Sequence, residues 1–405
     1  MWPCKTVYSD FFRQLLAVAV ICLPAYLTNA QSPAGESERL TCETDSASRL
    51  RDTALSLLNS GHEQEAVEWF QKAADKGDLS SLYYCGMLCM KGIGTNRDTI
   101  AGYDHMRQAA DKGFPQAIYD LSRRLATGDG VRRDLPQADS LLKKAAIAGS
   151  ARAQWDYACK FRDGKGRSRN FHLAATWMAQ SMSAKDNYAF LRQYANPSRP
   201  DTTAFGLYLT SLAHIFRSDF ERADSCAASL ARKGFDEGIV LSALCAIEMS
   251  EKADGKQQSD SLLRQAIVLL QSVPDSDMGK LMLYTIAKKG ADISEADSLF
   301  QQAADNGYAP AQRLLGKAYY FGRDGFPKND TLAVRYFRMA DEQGLLDKET
   351  AYAYATCLRN GLGGLQADPK KAEEAERRGR NLNALSKMLA RIADIPRNRK
   401  NLKTR

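Results

Sequence analysis

The sequence predicts an all-α protein, a right-handed α-solenoid of stacked antiparallel helix pairs. Three observations predict it: a motif that returns every 36 residues, glycines at fixed places in each copy, and no run with the two-residue apolar alternation of a half-buried strand. The segments "KAADKGDLSSLYYCGMLCMKGIGTNRD" (72–98), "QAADKGFPQAIYDLSRRLATGDGVRRD" (108–134) and "KAAIAGSARAQWDYACKFRDGKGRSRN" (144–170) are one motif written three times. Gly77, Gly113 and Gly149 mark one phase of it, and Gly92, Gly128 and Gly164 another. One helix pair cannot hide its own apolar face, and stacking identical pairs does so.

Taken from the start, Lys5 and Arg13 precede the apolar run "LLAVAVICLPAYL" (15–27), and "TNA" stands before Gln31. This is the pattern of an export signal, residues 1–30, cleaved after Ala30; the run is too short to span a bilayer. Residues 31–45 read as a linker. Residues 46–184 hold a first helix pair, "SASRLRDTALSLLNSGHEQEAVEWF" (46–70), and then the clear repeats. In each repeat the first helix runs from a small residue (Ala117, Ala153, Ala311) through Leu121- and Leu125-type positions to a glycine. That glycine can take the positive φ that ends a helix without a Cβ penalty. Asp98, Asp134 and Asn170 then stand where the second helix needs a cap. The second helix carries a bulky pair: Trp69-Phe70, His105-Met106, Leu141-Leu142, Trp177-Met178, and later Leu299-Phe300 and Tyr336-Phe337. A small residue follows four positions after the first member (Ala73, Ala109, Ala145, Ala303, Ala340), so that large knobs face small sites.

Residues 185–295 depart from the pattern: "ANPSRPD" (195–201) breaks a helix and the glycine turn is missing. Yet "RADSCAASLARKG" (222–234) keeps the Ala-to-Gly spacing of Ala66–Gly77, which reads as degenerate helical repeats continuing one array. Two arrays joined by a helical spacer is the alternative. The motif is regular again over 296–380. Residues 381–405 read as a capping helix, with Leu382, Leu385, Leu389 and Ile392 at helical spacing, and a basic tail, "RNRKNLKTR".

The "A-x-x-W/Y-x-x-K-A-A-x-x-G" and "A-x-Y-x-L-G…G-x-G-V-x-x-D" patterns resemble the Sel-1-like repeat, a relative of the tetratricopeptide repeat, most strongly over residues 66–184 and 296–366. The resemblance implies a protein–protein interaction scaffold or adaptor in an envelope assembly or at a host contact. Some secreted members are described as binding or slowly hydrolysing penicillin-type compounds, which makes an enzyme of that kind the second reading. Ser140–Lys143, "SLLK", matches S-x-x-K, but no S-D-N or K-T-G accompanies it, and the regular paired cysteines of that subgroup are absent. Recognition of cell-wall glycan or peptide by the same groove is a third reading.

Charge and side-chain chemistry narrow the choice. The net charge of +8 sits in the C-terminus, where ten Lys or Arg between Arg377 and Arg405 face only Asp394. Nucleic acid is not expected as a partner of an exported chain that lacks an aromatic-basic pattern, and the tail suits electrostatic contact with an anionic envelope surface. The cysteines after residue 30 (Cys42, Cys85, Cys89, Cys159, Cys226, Cys245, Cys357) are odd in number and irregular in spacing, as for buried thiols that pack as small hydrophobes. No catalytic residue, cofactor or metal is called. The histidines His62, His105, His172 and His214 are scattered, and "HEQEA" (62–66) lacks the second histidine of a zinc helix. The expected binding surface is the groove face of successive first helices: Tyr84, Asp120, Arg124, Asp156, Lys160, Tyr320 and Tyr354. Asp120–Arg124 and Asp156–Lys160 also fit plain i,i+4 pairs on a solvated helix.

Overall fold

The computed structural model describes residues 37–182 and 201–381, apart from 167, 289 and 294. The export signal, residues 31–36, and the chain from 382 onward, with the capping helix and basic tail, lie outside the described residues. Among the described residues there are eighteen α-helices and no strand, and within each of the two units given below consecutive helices pack on one another in chain order. This is the helix-pair stacking of an α-solenoid. Chain contacts divide it into two units, residues 1–112 and 113–405.

The first unit contains α1 (Ser37–Asn59), α2 (Glu63–Asp75), α3 (Leu79–Lys91) and α4 (Thr99–Asp111). Its core is Ala54, Ala66, Phe70, Cys85 and Leu88. Helix α1 begins inside the stretch read as linker, because nothing between Ser37 and Asn59 is a proline or glycine that would stop it.

The second unit opens with α5 (Pro115–Thr127), α6 (Leu135–Ile147), α7 (Ala151–Asp163) and α8 (Phe171–Gln180). Helices continue where the motif fades: α9 (Ala204–Phe216), α10 (Phe220–Arg232), α11 (Asp236–Ser250), α12 (Lys256–Gln271) and α13 (Asp277–Ala287). Leu209, Leu212, Leu230, Leu241, Leu244 and Leu270 form the core there. The unit ends with α14 (Ala296–Asp305), α15 (Ala309–Phe321), α16 (Asp330–Asp341), α17 (Lys348–Asn360) and α18 (Pro369–Asn381) around Tyr284, Phe300, Leu315, Tyr336 and Phe337.

The repeat chemistry is visible at each joint. Gly92, Gly128, Gly164, Gly322 and Gly361 end their helices in the left-handed region, with φ of 69°, 81°, 69°, 63° and 63°, where any Cβ is strained. Asp134 and Asn170 then cap α6 and α8 by accepting the backbone N–H of Gln137 and Leu173, each at 2.9 Å. Ala73, Ala109, Ala145, Ala303 and Ala340 are fully buried. The second member of each bulky pair (Phe70, Met106, Leu142, Met178, Phe300, Phe337) is core in every copy, while the first is core only at Trp177 and Tyr336.

One long-range contact shapes the second unit. Eight of the ten residues of α8 are buried, and the turn after α16 reaches it. A Cβ on Gly344 would stand 3.0 Å from Ile147 and 3.2 Å from Trp177, so a glycine permits the approach. The His172 ring lies 6.1 Å from that of Tyr308, the residue that precedes α15.

Candidate protein-binding face

The first helices α3, α5, α7, α15 and α17 carry the expected groove residues, and the structure sorts them into three groups. Charged residues remain in contact with solvent on α5 and α7. Asp120 and Arg124 are half-buried, Asp156 is exposed and Lys160 is half-buried. Asp120 accepts from the Gln116 amide one turn earlier at 3.5 Å, while Asp156, Lys160 and Arg124 have partners outside their own helices. Asp156 accepts a 2.7 Å hydrogen bond from the Tyr119 phenol of α5, and Lys160 pairs with Asp139 of α6. Arg124 reaches Asp129 in the following turn at 3.0 Å. Burial, followed by the Asp156 contact, pushes the Tyr119 hydroxyl well above the ordinary phenol range, so it stays a donor. The Tyr119–Asp156 and Asp139–Lys160 contacts tie the repeat of α5 and α6 to the repeat that α7 opens. Arg123 of α5 and Arg152 of α7 extend it as exposed cations.

A second group supports packing at its edge. Tyr84, in the first unit, is half-buried and stacks on Phe70, ring centroids 4.9 Å apart. Tyr320 is half-buried against Phe337 at 6.1 Å. The third group is core. Tyr354 is only 6% exposed and lies against Phe337, so it is not a surface residue as expected. The cause is the apolar neighbours that α15 and α17 carry at this register, Leu314, Ala318 and Leu358, all buried.

The turn between α5 and α6 adds an open cleft of about 690 Å³ lined by Leu125, Val131, Arg132, Arg133, Asp134 and Leu135. Leu135 is 52% exposed there, an apolar contact point beside two arginines. Ser140 and Lys143 are exposed on α6. Among the described residues no three His, Cys, Asp or Glu side chains gather as metal ligands. The described cysteines Cys85, Cys89, Cys159, Cys226, Cys245 and Cys357 are free thiols, and burial pushes the Cys85 thiol up to about 12 and that of Cys357 to about 11. Cys85 and Cys357 pack as apolar groups and are poor nucleophiles.

Sequence reasoning missed two glutamines. Gln154 and Gln312 are buried at the fourth position of α7 and α15, and each donates to the carbonyl eight residues back, Ala146 at 3.1 Å and Ala304 at 2.9 Å. The signal was present as "A-x-A-Q" in "ARAQ" and "APAQ".

The Sel1 repeat model matches residues 63–78, 79–114, 115–150, 151–185, 287–308, 309–345 and 348–374, just over half of the chain. The chain belongs to the Sel1 repeat family. Sel1 repeats generally mediate protein–protein interaction, and the family is typically a non-enzymatic scaffold. The unmatched residues 186–286 are those where the motif fades. No curated protein matches the sequence. Solved structures are similar. A protective antigen of uropathogenic Escherichia coli displaying an SLR fold is 20% identical, over 88% of this chain and 84% of its own, with a TM-score of 0.30. A Sel1 repeat protein from Oxalobacter formigenes is 19% identical, over 92% and 98%, with a TM-score of 0.33. The human IFIT1 dimer with PPP-AAAA is 13% identical, over 84% and 95%, also at 0.33.

Proposed function

We propose that this Sel1 repeat protein is an exported scaffold or adaptor that holds a protein or peptide partner on the charged face of α5 and α7. The single observation that carries the site is the arrangement of that face. Asp120, Arg123, Arg152 and Asp156 present both signs of charge to solvent on two successive first helices, and the Tyr119 hydrogen bond from the preceding repeat holds Asp156 in place. A preorganised, mixed-charge face loses little entropy on docking, and opposite charges set register and on-rate. The cleft at Leu135 offers an apolar anchor beside it.

Export rests on the sequence of residues 1–30, with its cations, apolar run and small residues before Gln31. Among the described residues no helix is long and apolar enough to cross a membrane. The basic C-terminal tail supports contact with an anionic envelope surface.

A crosslinking pulldown from envelope extract tests this, comparing the native chain with Arg123→Glu/Arg152→Glu after both are shown to be equally folded. A partner captured by the first and reduced at least roughly tenfold with the second supports the face, because like charge juxtaposed across an interface is costly. Equal capture by both moves the site elsewhere. Fusion of residues 1–35 to a reporter, followed by fractionation, tests export independently.

A further inference from the structure

Where α8 meets the C-terminal repeats, polar side chains are buried. His172, at the second position of α8, is buried, and its Nδ1 lies 3.2 Å from the Tyr208 hydroxyl of α9. Its ring meets that of Tyr308 at 6.1 Å. Arg313 of α15 is 1% exposed and pairs with Asp347, the N-cap of α17, which also accepts the Thr350 N–H at 2.8 Å. On the same helices Lys317 pairs with Glu349 at 2.9 Å. Glu237 of α11 faces Tyr208 and receives the backbone N–H of Phe171, and Arg169 lies before α8 near Glu237.

We propose that this node is a proton-sensitive latch: neutral His172 lets α8 and the segment 308–319 close on each other, and its protonation releases them. The chemistry of the contact gives the reason. A neutral imidazole Nδ1 can accept the Tyr208 proton, whereas an imidazolium cannot. The hydrogen-bonding neighbour is a phenol, which does not neutralise a positive ring. The Arg313 cation adds repulsion, and its counter-ion Asp347 is already engaged. Burial and then the Arg313 charge push the His172 pKa down to about 4. Burial works against the Asp347 carboxylate, but Arg313, Lys317 and the Thr350 hydrogen bonds together outweigh it and hold it at about 2, so the pair persists while His172 titrates.

The sign of the effect follows. With the latch open, His172 regains water and a pKa near 6.5, so the open form binds the proton more tightly. Closure is therefore fully favoured above pH 6.5, weakens as pH falls through the window from 6.5 to 4, and loses no more below it. The closed-to-open ratio falls on the order of a hundredfold across that window.

The test uses the full chain. Histidine ring resonances are followed by NMR from pH 7.5 to 3.5, with His172 assigned by its loss in His172→Phe, and hydrogen exchange is measured over the same range after correction for intrinsic rates. The expected result is a His172 midpoint well below 6.5, with amides of α8 and 308–319 losing protection together as pH falls from 6.5 towards that midpoint. In His172→Phe, which cannot take a proton, that loss of protection is absent from pH 6.5 to 4. In Arg313→Met the His172 midpoint moves up. Titration of His172 near 6.5 in the native chain overturns the latch even if neither variant folds well. So does titration at low pH without the paired loss of protection, or an unchanged transition in His172→Phe.

Discussion

Helices α5 and α15 hold the same place in the Sel1 repeat, yet six of thirteen residues are buried in α5 and eleven of thirteen in α15. Tyr119, Asp120, Arg123 and Arg124 of α5 correspond to Arg313, Leu314, Lys317 and Ala318 of α15, by the register of the two matched repeats. Both helices turn the same alanines and leucines into the stack. They differ on the opposite face, which meets solvent in α5 and packed protein in α15. The repeat therefore sets one face of each first helix, and the neighbourhood decides the other. Where that face is buried its charges are matched one to one, as Arg313 is by Asp347 and Lys317 by Glu349. Where it is open the cation itself keeps solvent contact: Arg124, paired with Asp129, is 25% exposed, against 2% for Arg313 and 8% for Lys317.

Substitutions that exchange the two environments test this directly. Asp347→Ala strands the buried Arg313 and removes the α17 cap, and should cost roughly 3–5 kcal/mol in denaturant unfolding of the second unit. The counterpart in the open region, Asp129→Ala at Arg124, should cost no more than about 0.5 kcal/mol. If the two losses came out equal, the comparison would fail. Leu314→Asp writes the α5 residue into α15 and should destabilise by at least about 3 kcal/mol through an unpaired buried charge. The reverse exchange, Asp120→Leu, should stay within roughly ±0.5 kcal/mol, and a large loss there would mean that this face is covered. Packing shared by both regions should respond alike: Ala145→Leu and Ala303→Leu should each cost about 1–3 kcal/mol by overpacking, read as a lowered denaturant midpoint. Smallest among the shared features, Asn170→Ala should lose about 1 kcal/mol with its cap on α8, seen as a modest drop in melting temperature.

Much of the fold was legible because the contacts that build a repeat recur at constant short separation. Gly92, Gly128 and Gly164 announced helix ends, Asp134 and Asn170 announced caps, and Ala145 and Ala303 announced close helix approach. The candidate face was legible only in part. Asp120, Arg124, Asp156 and Lys160 keep contact with solvent as expected, but their partners Asp129, Tyr119 and Asp139 were not read from the sequence, because i,i+4 spacing offered nearer ones. Tyr354 was placed on the surface because its register matched that of Asp120, although the apolar Leu314 and Ala318 at the same register already signalled burial. The start of α1 was missed because no motif marks it, only the lack of a helix breaker.

By itself the sequence determined the helix pairs, their ends, their caps and the alternation of large and small side chains that stacks them, since all of these are local chemistry repeated in register. Only the tertiary structure decided that α8 would be buried on nearly all sides, and that His172 would meet Tyr308 and Arg313 from well over a hundred residues away. Such a meeting depends on the small rotation each pair adds to the last, summed over many pairs, and a sum of that kind leaves no periodic mark on the residues it brings together.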